Sequence, residues 1–273
     1  MSSAPAFAKI NLALVVGPIR EDRKHEVVTL LQRVDLHDDV EVERGEPGRI
    51  TVEGFEDTIV GRALDLLAAA SWGTPGWRVR LQKRIPVAAG LGGGSSDAAT
   101  ALRLANELAA EPLSPETLHA VAAEVGSDVP FFLETGAQLA TADGSTLSPV
   151  SLPLDSWIVL ALPQGEHKES TASVYERFDE RGGEEGFDRR REALLAALER
   201  VRAPLDLAAL PRNDLASSPL AAKLEELGAF RADVSGAGPT VYGLFERKED
   251  AERAARALAG SAWARVARPV HGP

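Results

Sequence analysis

Apolar and polar residues alternate cleanly in WRVRLQK (77–83), where Trp77, Val79 and Leu81 face one way and Arg78, Arg80 and Gln82 the other. That is the period of a strand with one core face and one wet face. The same alternation in DDVEVER (38–44) and RITVEG (49–54) predicts two more short strands. AFAKINLALVV (6–16) reads as a first strand, with Lys9 and Asn11 opposite Ile10 and Leu12. The period lengthens in DTIVGRALDLLAAA (57–70), where Ile59, Ala63, Leu66, Leu67 and Ala70 form a helical stripe. SSDAATALRLANELAA (95–110), rich in Ala and Leu, predicts a second helix. SPETLHAVAAEVG (114–126) predicts a third, with Ser114 as cap, Pro115 at the first position and Gly126 as stop. AQLATADGSTLSPV (137–150) predicts a hairpin turning on Asp143-Gly144.

The pattern restarts after Pro149 and Pro153. WIVLALP (157–163) is a buried strand, followed by helices near 171–180 and 187–201 and a solvated RGGEEG loop between them. NDLASSPLAAKLEELGA (213–229) predicts a helix opening on an Asn/Asp cap. FRADVSGAGPTVYGLFE (230–246) gives two strands around a glycine turn, EDAERAARALAG (249–260) a helix and WARVAR (263–268) a last strand. The chain therefore divides near residue 152 into 1–152 and 153–273. The second half is an antiparallel sheet with helices expected on one face.

A chain of 273 residues with 44% apolar and 26% charged residues can bury a full core. Its net charge of −11 argues against a general nucleic-acid or anionic-membrane surface and leaves room for a locally basic pocket for a phosphorylated small molecule. The absence of cysteine excludes disulfides and thiolate metal sites, and the five histidines have no H-E-x-x-H spacing. No window approaches 18 uncharged apolar residues, and the N-terminus has no basic segment or cleavage site, so a cytoplasmic protein is expected, with monomer and homodimer both left open.

One segment carries chemistry. RIPVAAGLGGGSSDAA (84–99) joins a strand to a helix, the context of a phosphate cradle rather than a linker. Glycines let the backbone approach an anion, and free helix N–H groups favour its charge. No Lys-Ser/Thr follows, so it is not a Walker A loop; the dinucleotide fingerprint and the G-x-S-x-G elbow are also absent. Lys9 stands inside an apolar strand, where an unpaired ammonium would be costly. Asp128, before Val129-Pro130, is by residue type alone a helix cap.

Pro86-x-x-x-Gly90-Leu91-Gly92-Gly93-Gly94-Ser95-Ser96-Asp97-Ala98-Ala99 resembles the phosphate-binding motif of the GHMP kinases. Ala8-Lys9-Ile10-Asn11-Leu12 resembles their N-terminal motif, and Val234-Ser235-Gly236-Ala237-Gly238-Pro239-Thr240-Val241 their C-terminal one. With Gly126-Ser127-Asp128-Val129-Pro130-Phe131-Phe132, the set is most similar to the branch that phosphorylates a cytidine diphosphate-linked polyol in the non-mevalonate isoprenoid route.

The resemblance implies an α+β two-domain GHMP-kinase fold, with an N-terminal half like ribosomal protein S5 domain 2 and a ferredoxin-like C-terminal half. It implies ATP and Mg²⁺, with Pro86, Ala88, Ala89, Gly90, Leu91, Gly92, Gly93, Gly94, Ser95 and Ser96 around the phosphates. Ser95 or Ser96 is the candidate metal contact, the other serving as a helix cap. Asp97 is read as a first-turn acid complementing the helix dipole. The resemblance makes Asp128 the base and Lys9 its partner. Asn11, His25, Lys24, Thr171, Tyr175, Gly236 and Gly238 are the candidate acceptor-binding residues. Asn11 reads equally as a strand-edge polar residue and the two glycines as a plain hairpin turn, while His25 taken alone reads as a solvated loop residue.

The chain departs from the family at Asp22-Arg23-Lys24-His25, where the family has D-G-Y-H. The family's tyrosine stacks on the cytosine; here the Lys24 stem stands in its place. The departure keeps two alternatives open: a sister kinase with another polyol or amino-alcohol acceptor, and a non-catalytic nucleotide-binding protein on the same fold.

Overall fold

The computed structural model describes residues 1–55, 58–73, 75–164 and 170–272. Two long antiparallel strands, β1 (Ser2–Ile19) and β2 (His25–Arg44), form its spine. Alternation marks only the last third of β2, because residues 27–34 are buried on both faces and leave no wet side to read. β3 (Ile50–Glu53), α1 (Thr58–Ala70), β4 (Trp77–Gln82), α2 (Gly93–Leu108), α3 (Pro115–Val125), β5 (Ala137–Thr141) and β6 (Thr146–Val150) complete the first half. The sheet order is β3-β4-β2-β5-β6, with β1 along the other edge of β2; only β3–β4 is parallel. Helices α1 to α3 close a core around Val40, Val42, Trp77, Val79, Leu102 and Phe131.

Two predicted helices change. The core stripe of α1 is Val60, Ala63, Leu64 and Leu67, one residue round from the predicted one. Ile59 is thereby left partly exposed and Ala70 exposed, while Asp57, the expected start, lies outside the described residues. Helix α2 begins two residues early, at Gly93, with Gly92 as its left-handed cap at φ 70°.

The second half runs β7 (Trp157–Pro163), α4 (Thr171–Glu180), α5 (Phe187–Leu198), α6 (Pro219–Glu226), β8 (Arg231–Val234), β9 (Val241–Phe245), α7 (Lys248–Leu258) and β10 (Ala262–Ala267). Its sheet, in order β10-β7-β9-β8, is antiparallel throughout and has the ferredoxin-like winding. Helices α6 and α7 cover one face. The other face is also buried: Ile158, Leu160, Tyr242 and Leu244 share a core with Ala8, Ile10 and Leu12 of β1 and with Phe187 and Leu194 of α5. At a bulge between Asn11 and Ala13 of β1, the freed Leu12 carbonyl accepts hydrogen bonds from Arg231 (2.8 Å) and the Tyr242 hydroxyl (3.0 Å). The two halves are thus bonded at the strand that carries Lys9.

The helix expected over 213–229 is confined to α6, capped by Ser218. Asn213 and Asp214 bind other chain segments instead of opening a helix. Asn213 donates to the Val234 and Gly236 carbonyls (2.9 and 2.7 Å), and Asp214 accepts from the Val16 amide and Arg190 (both 2.9 Å). Asn and Asp favour such backbone bonds as readily as caps.

Candidate active site

A cleft of about 930 Å³ runs between the halves, lined by the first strand, the 86–95 segment, Asp128, the start of α4 and the 236–238 turn. Its floor is Lys9. The ammonium is almost wholly buried, 2.7 Å from the Asn11 amide oxygen and 3.5 Å from an Asp128 carboxylate oxygen. Asn11 in turn donates to the Thr29 hydroxyl at 2.9 Å, so its amide holds the lysine from below. A buried ammonium with an acceptor on one side and a carboxylate on the other is the paired state that burial demands.

The glycine segment meets this floor through its backbone. The Lys9 amide donates to the Leu91 carbonyl at 2.9 Å. The Ser235 hydroxyl donates to the Gly90 carbonyl at 3.0 Å, and the Thr240 amide to that of Ala89 at 3.2 Å. Three segments far apart in sequence thus converge within hydrogen-bond distance. Glycine is required where they touch. At Gly90 (φ 79°) a Cβ would lie 2.6 Å from the Ser235 carbonyl oxygen. At Gly92 (φ 70°) it would lie 2.8 Å from the Phe132 ring and 3.0 Å from Lys9 Cγ.

All the predicted phosphate residues line the cleft except Ser96, which is buried in α2. Ser95 is the serine that opens on it. Asp97 is not a solvent-facing first-turn acid. It is fully buried, 2.5 Å from the Lys83 ammonium, which also meets the buried Asp38 at 2.7 Å. Burial alone would lower the Lys83 pKa, but Asp97 and Asp38 outweigh it and raise it. Phe55, Ile59, Lys83 and Val87 extend this end of the cleft as an apolar shelf with one cation. Sequence reading assigned Ile59 to the core; the available signal was the competing 60, 63, 64, 67 stripe, which places Ile59 outside it.

The other end is built from side chains. His25 is buried rather than solvated. Its Nδ1 lies 2.9 Å from the Gly17 carbonyl, its Nε2 3.4 Å from Asp179, and its ring stacks on Tyr175 at 4.8 Å. Burial, helped by the charge of Asp128, pushes the Tyr175 phenol up to about 12. Thr171 sits one turn before it, exposed to the cleft at the start of α4. Lys24 lines the wall, but its ammonium is committed to Asp143 at 2.5 Å. That contact and the Ser145 bonds overcome the effect of burial and hold the Asp143 carboxyl far below the usual range. Arg23, where the family has glycine, adopts the left-handed φ of 64°. Gly236 faces the Lys9 ammonium and Asn11, and Gly238 lies beside it on the lining, so their turn belongs to the site.

A glycine-rich backbone cradle, a buried lysine beside a half-exposed aspartate and a mixed aromatic and polar pocket beyond them fit a phosphotransferase for a small hydroxyl-bearing acceptor. Residues 58–136 match the GHMP kinases N terminal domain, and residues 185–265 the GHMP kinases C terminal domain. A 4-diphosphocytidyl-2-C-methyl-D-erythritol kinase of Salinispora arenicola is 37% identical over 97% of this chain and 90% of its own. One from Geobacter sulfurreducens is 35% identical over 94% of this chain and 95% of its own. The crystal structure of a 4-(cytidine 5'-diphospho)-2C-methyl-D-erythritol kinase superposes with a TM-score of 0.78 at 31% identity, covering 99% of this chain and 100% of that one. A mevalonate kinase with a TM-score of 0.75 is only 11% identical and shares the fold. The chain belongs to the 4-diphosphocytidyl-2-C-methyl-D-erythritol kinase family of the GHMP kinases, ATP-dependent phosphotransferases.

Proposed function

We propose that this chain transfers the γ-phosphoryl group of ATP to the 2-hydroxyl of 4-diphosphocytidyl-2-C-methyl-D-erythritol. The single observation that carries this is the Lys9–Asp128 pair, held at 3.5 Å at the junction of the glycine cradle and the pocket beyond it. Phosphoryl transfer asks little covalent chemistry of the protein; it needs positioning, charge neutralisation and a proton acceptor. The nucleotide phosphates lie against the 90–95 backbone and the N-terminus of α2. Asp128 takes the proton from the acceptor hydroxyl as its oxygen bonds the γ-phosphorus and the bond to ADP breaks. Lys9 orients Asp128 and neutralises charge on the transferred group. The acceptor's base lies toward Tyr175 and His25, with Lys24 on the same lining, and Thr171 meets its polar arm.

The donor set fits Mg²⁺ carried chiefly by the nucleotide's own oxygens. Among the described residues no group of three or more His, Cys, Asp and Glu could hold a metal ion, and Asp97 is paired with Lys83; the Ser95 hydroxyl, open to the cleft beside the glycines, is the residue that would contact the ion. When bound there, the ion shields phosphate charge. The acidic net charge supports an enzyme acting on a small molecule rather than on nucleic acid or an anionic membrane surface; we place it in the cytoplasm, as a monomer or homodimer.

The lysine at position 24 favours one second reading, a sister kinase with a different acceptor. Steady-state ADP release with MgATP separates the two. The cytidylated acceptor, 2-C-methyl-D-erythritol 4-phosphate, homoserine and mevalonate are compared. Turnover with the first alone supports the proposal; turnover only with another acceptor overturns it in favour of the second reading. ATP binding with no turnover on any acceptor supports a non-catalytic role.

A further inference from the structure

The Asp128 side chain is 44% exposed, and its ion pair with Lys9 is long for a charge-assisted contact. Such a carboxylate takes its position from its backbone. The turn that follows it is held by a group outside the cleft. Arg33 is the cross-strand partner of Lys9 in the β1–β2 ladder, so the two side chains leave the sheet on the same face. Lys9 meets Asp128; three residues further on, Arg33 donates to the Phe131 carbonyl at 2.5 Å and to that of Gly136 at 3.3 Å. Its guanidinium also lies 4.5 Å from the centre of the Phe131 ring.

Arg33 is 1% exposed, and burial pulls its pKa down to about 10, against the opposing charge of Glu134. A buried guanidinium held mainly by carbonyls is a costly device if its role is only to fill space. The chain end seals it in. The Val270 amide donates to the Arg33 carbonyl at 3.1 Å, the Gly136 amide to the His271 carbonyl at 2.6 Å, and Gln32 to the Val270 carbonyl at 3.0 Å.

We propose that Arg33 is a positioning residue that fixes the 128–131 segment over the β1–β2 ladder and so sets Asp128 against Lys9 and the acceptor hydroxyl. The proposal rests on the reading of Asp128 as the base. It gives one cross-strand pair two duties: Lys9 holds the carboxylate and Arg33 holds the turn that carries it.

The test uses the full chain and compares Arg33→Met, Arg33→Lys, Asp128→Asn and the Arg33→Met/Asp128→Asn double variant, with thermal unfolding and ATP affinity recorded for each. Arg33→Met is expected to lower kcat about tenfold or more while KM for MgATP stays within about twofold. Arg33→Lys, which keeps the charge and one donor, restores part of the loss. In the Asp128→Asn background, Arg33→Met is expected to change kcat less than about twofold, because the group it positions is gone. An unchanged kcat in folded Arg33→Met, or the same loss with and without Asp128, overturns the proposal. If Arg33→Met does not fold, Arg33→Lys decides by the same double-variant comparison. Full activity in Asp128→Asn alone overturns the base assignment and the proposal with it; a loss there together with additive Arg33 effects overturns the proposal alone.

Discussion

The two ends of the cleft are built on different principles. One end is mostly backbone: the carbonyls of Ala89, Gly90 and Leu91 accept from the Thr240 amide, the Ser235 hydroxyl and the Lys9 amide, and Gly90 and Gly92 have no room for a Cβ. Its centre is glycine backbone, with the Ser95 hydroxyl and the Phe55, Ile59, Lys83 and Val87 shelf beside it, and on the proposed reading it takes the nucleotide's phosphates. The acceptor end is side chains: His25 from the start of β2, Tyr175 from α4, Lys24 from the first turn and Asp143 from the β5–β6 hairpin. A backbone site has few ways to vary. A side-chain site can change one residue at a time, and it is here that this chain departs from its family. On the proposed reading, reaction class is set at one end and substrate choice at the other, with Lys9 and Asp128 between them.

The largest effect that sharpens this division belongs to the junction. Asp128→Asn should lower kcat roughly 10²–10⁴-fold, the usual worth of a positioned general base, with ATP affinity unmoved. ADP release and nucleotide titration on the same protein check both halves of that statement. At the phosphate end, Gly90→Ala places a Cβ 2.6 Å from the Ser235 carbonyl at a φ of 79°. Left-handed strain alone costs about 1–2 kcal/mol. ATP affinity is expected to fall by about tenfold or more while acceptor specificity is retained; an unchanged ATP affinity would break the comparison at this end.

At the acceptor end, Lys24→Tyr restores an aromatic wall. Stacking worth roughly 1 kcal/mol or more should lower the KM for a cytidylated acceptor about fivefold and leave that for ATP alone. Equal changes in both would show that the ends are not separable. The smallest effect concerns pH. Asp143 titrates well below an ordinary Asp because Lys24 and Ser145 outweigh its burial. A lowered carboxylate stabilises the fold above its unfolded pKa, and that contribution fades as pH falls through the folded value. Lys24→Met should therefore lower the unfolding midpoint at neutral pH, with the gap to the parent chain closing in strong acid.

The glycine end of the cleft was legible in the sequence as a strand-to-helix junction, because close backbone approach must write itself as glycines, and Gly90 to Gly94 lead from a strand into a helix. The strands with one wet face were legible too; the inner part of β2 was not, because residues 27–34 have no wet face to alternate with. Asp97 was misread because a helix's first residues say nothing of the Lys83 that folding brings beside it. His25 was legible only through the family pattern: its burial depends on Tyr175, about 150 residues further along the chain. Asn213, read as a helix cap, instead ties down the 234–236 turn, and only the fold brings the two together.

The central claim is that a phosphoryl group leaves ATP at one end of this cleft and arrives on a hydroxyl at the other. Phosphorus NMR of the product formed from MgATP and 4-diphosphocytidyl-2-C-methyl-D-erythritol tests it most directly. The account predicts ADP, one new phosphate monoester resonance and an intact diphosphate pair. ADP with a lengthened or broken diphosphate and no monoester, or no product from a chain that binds both ligands, would contradict it.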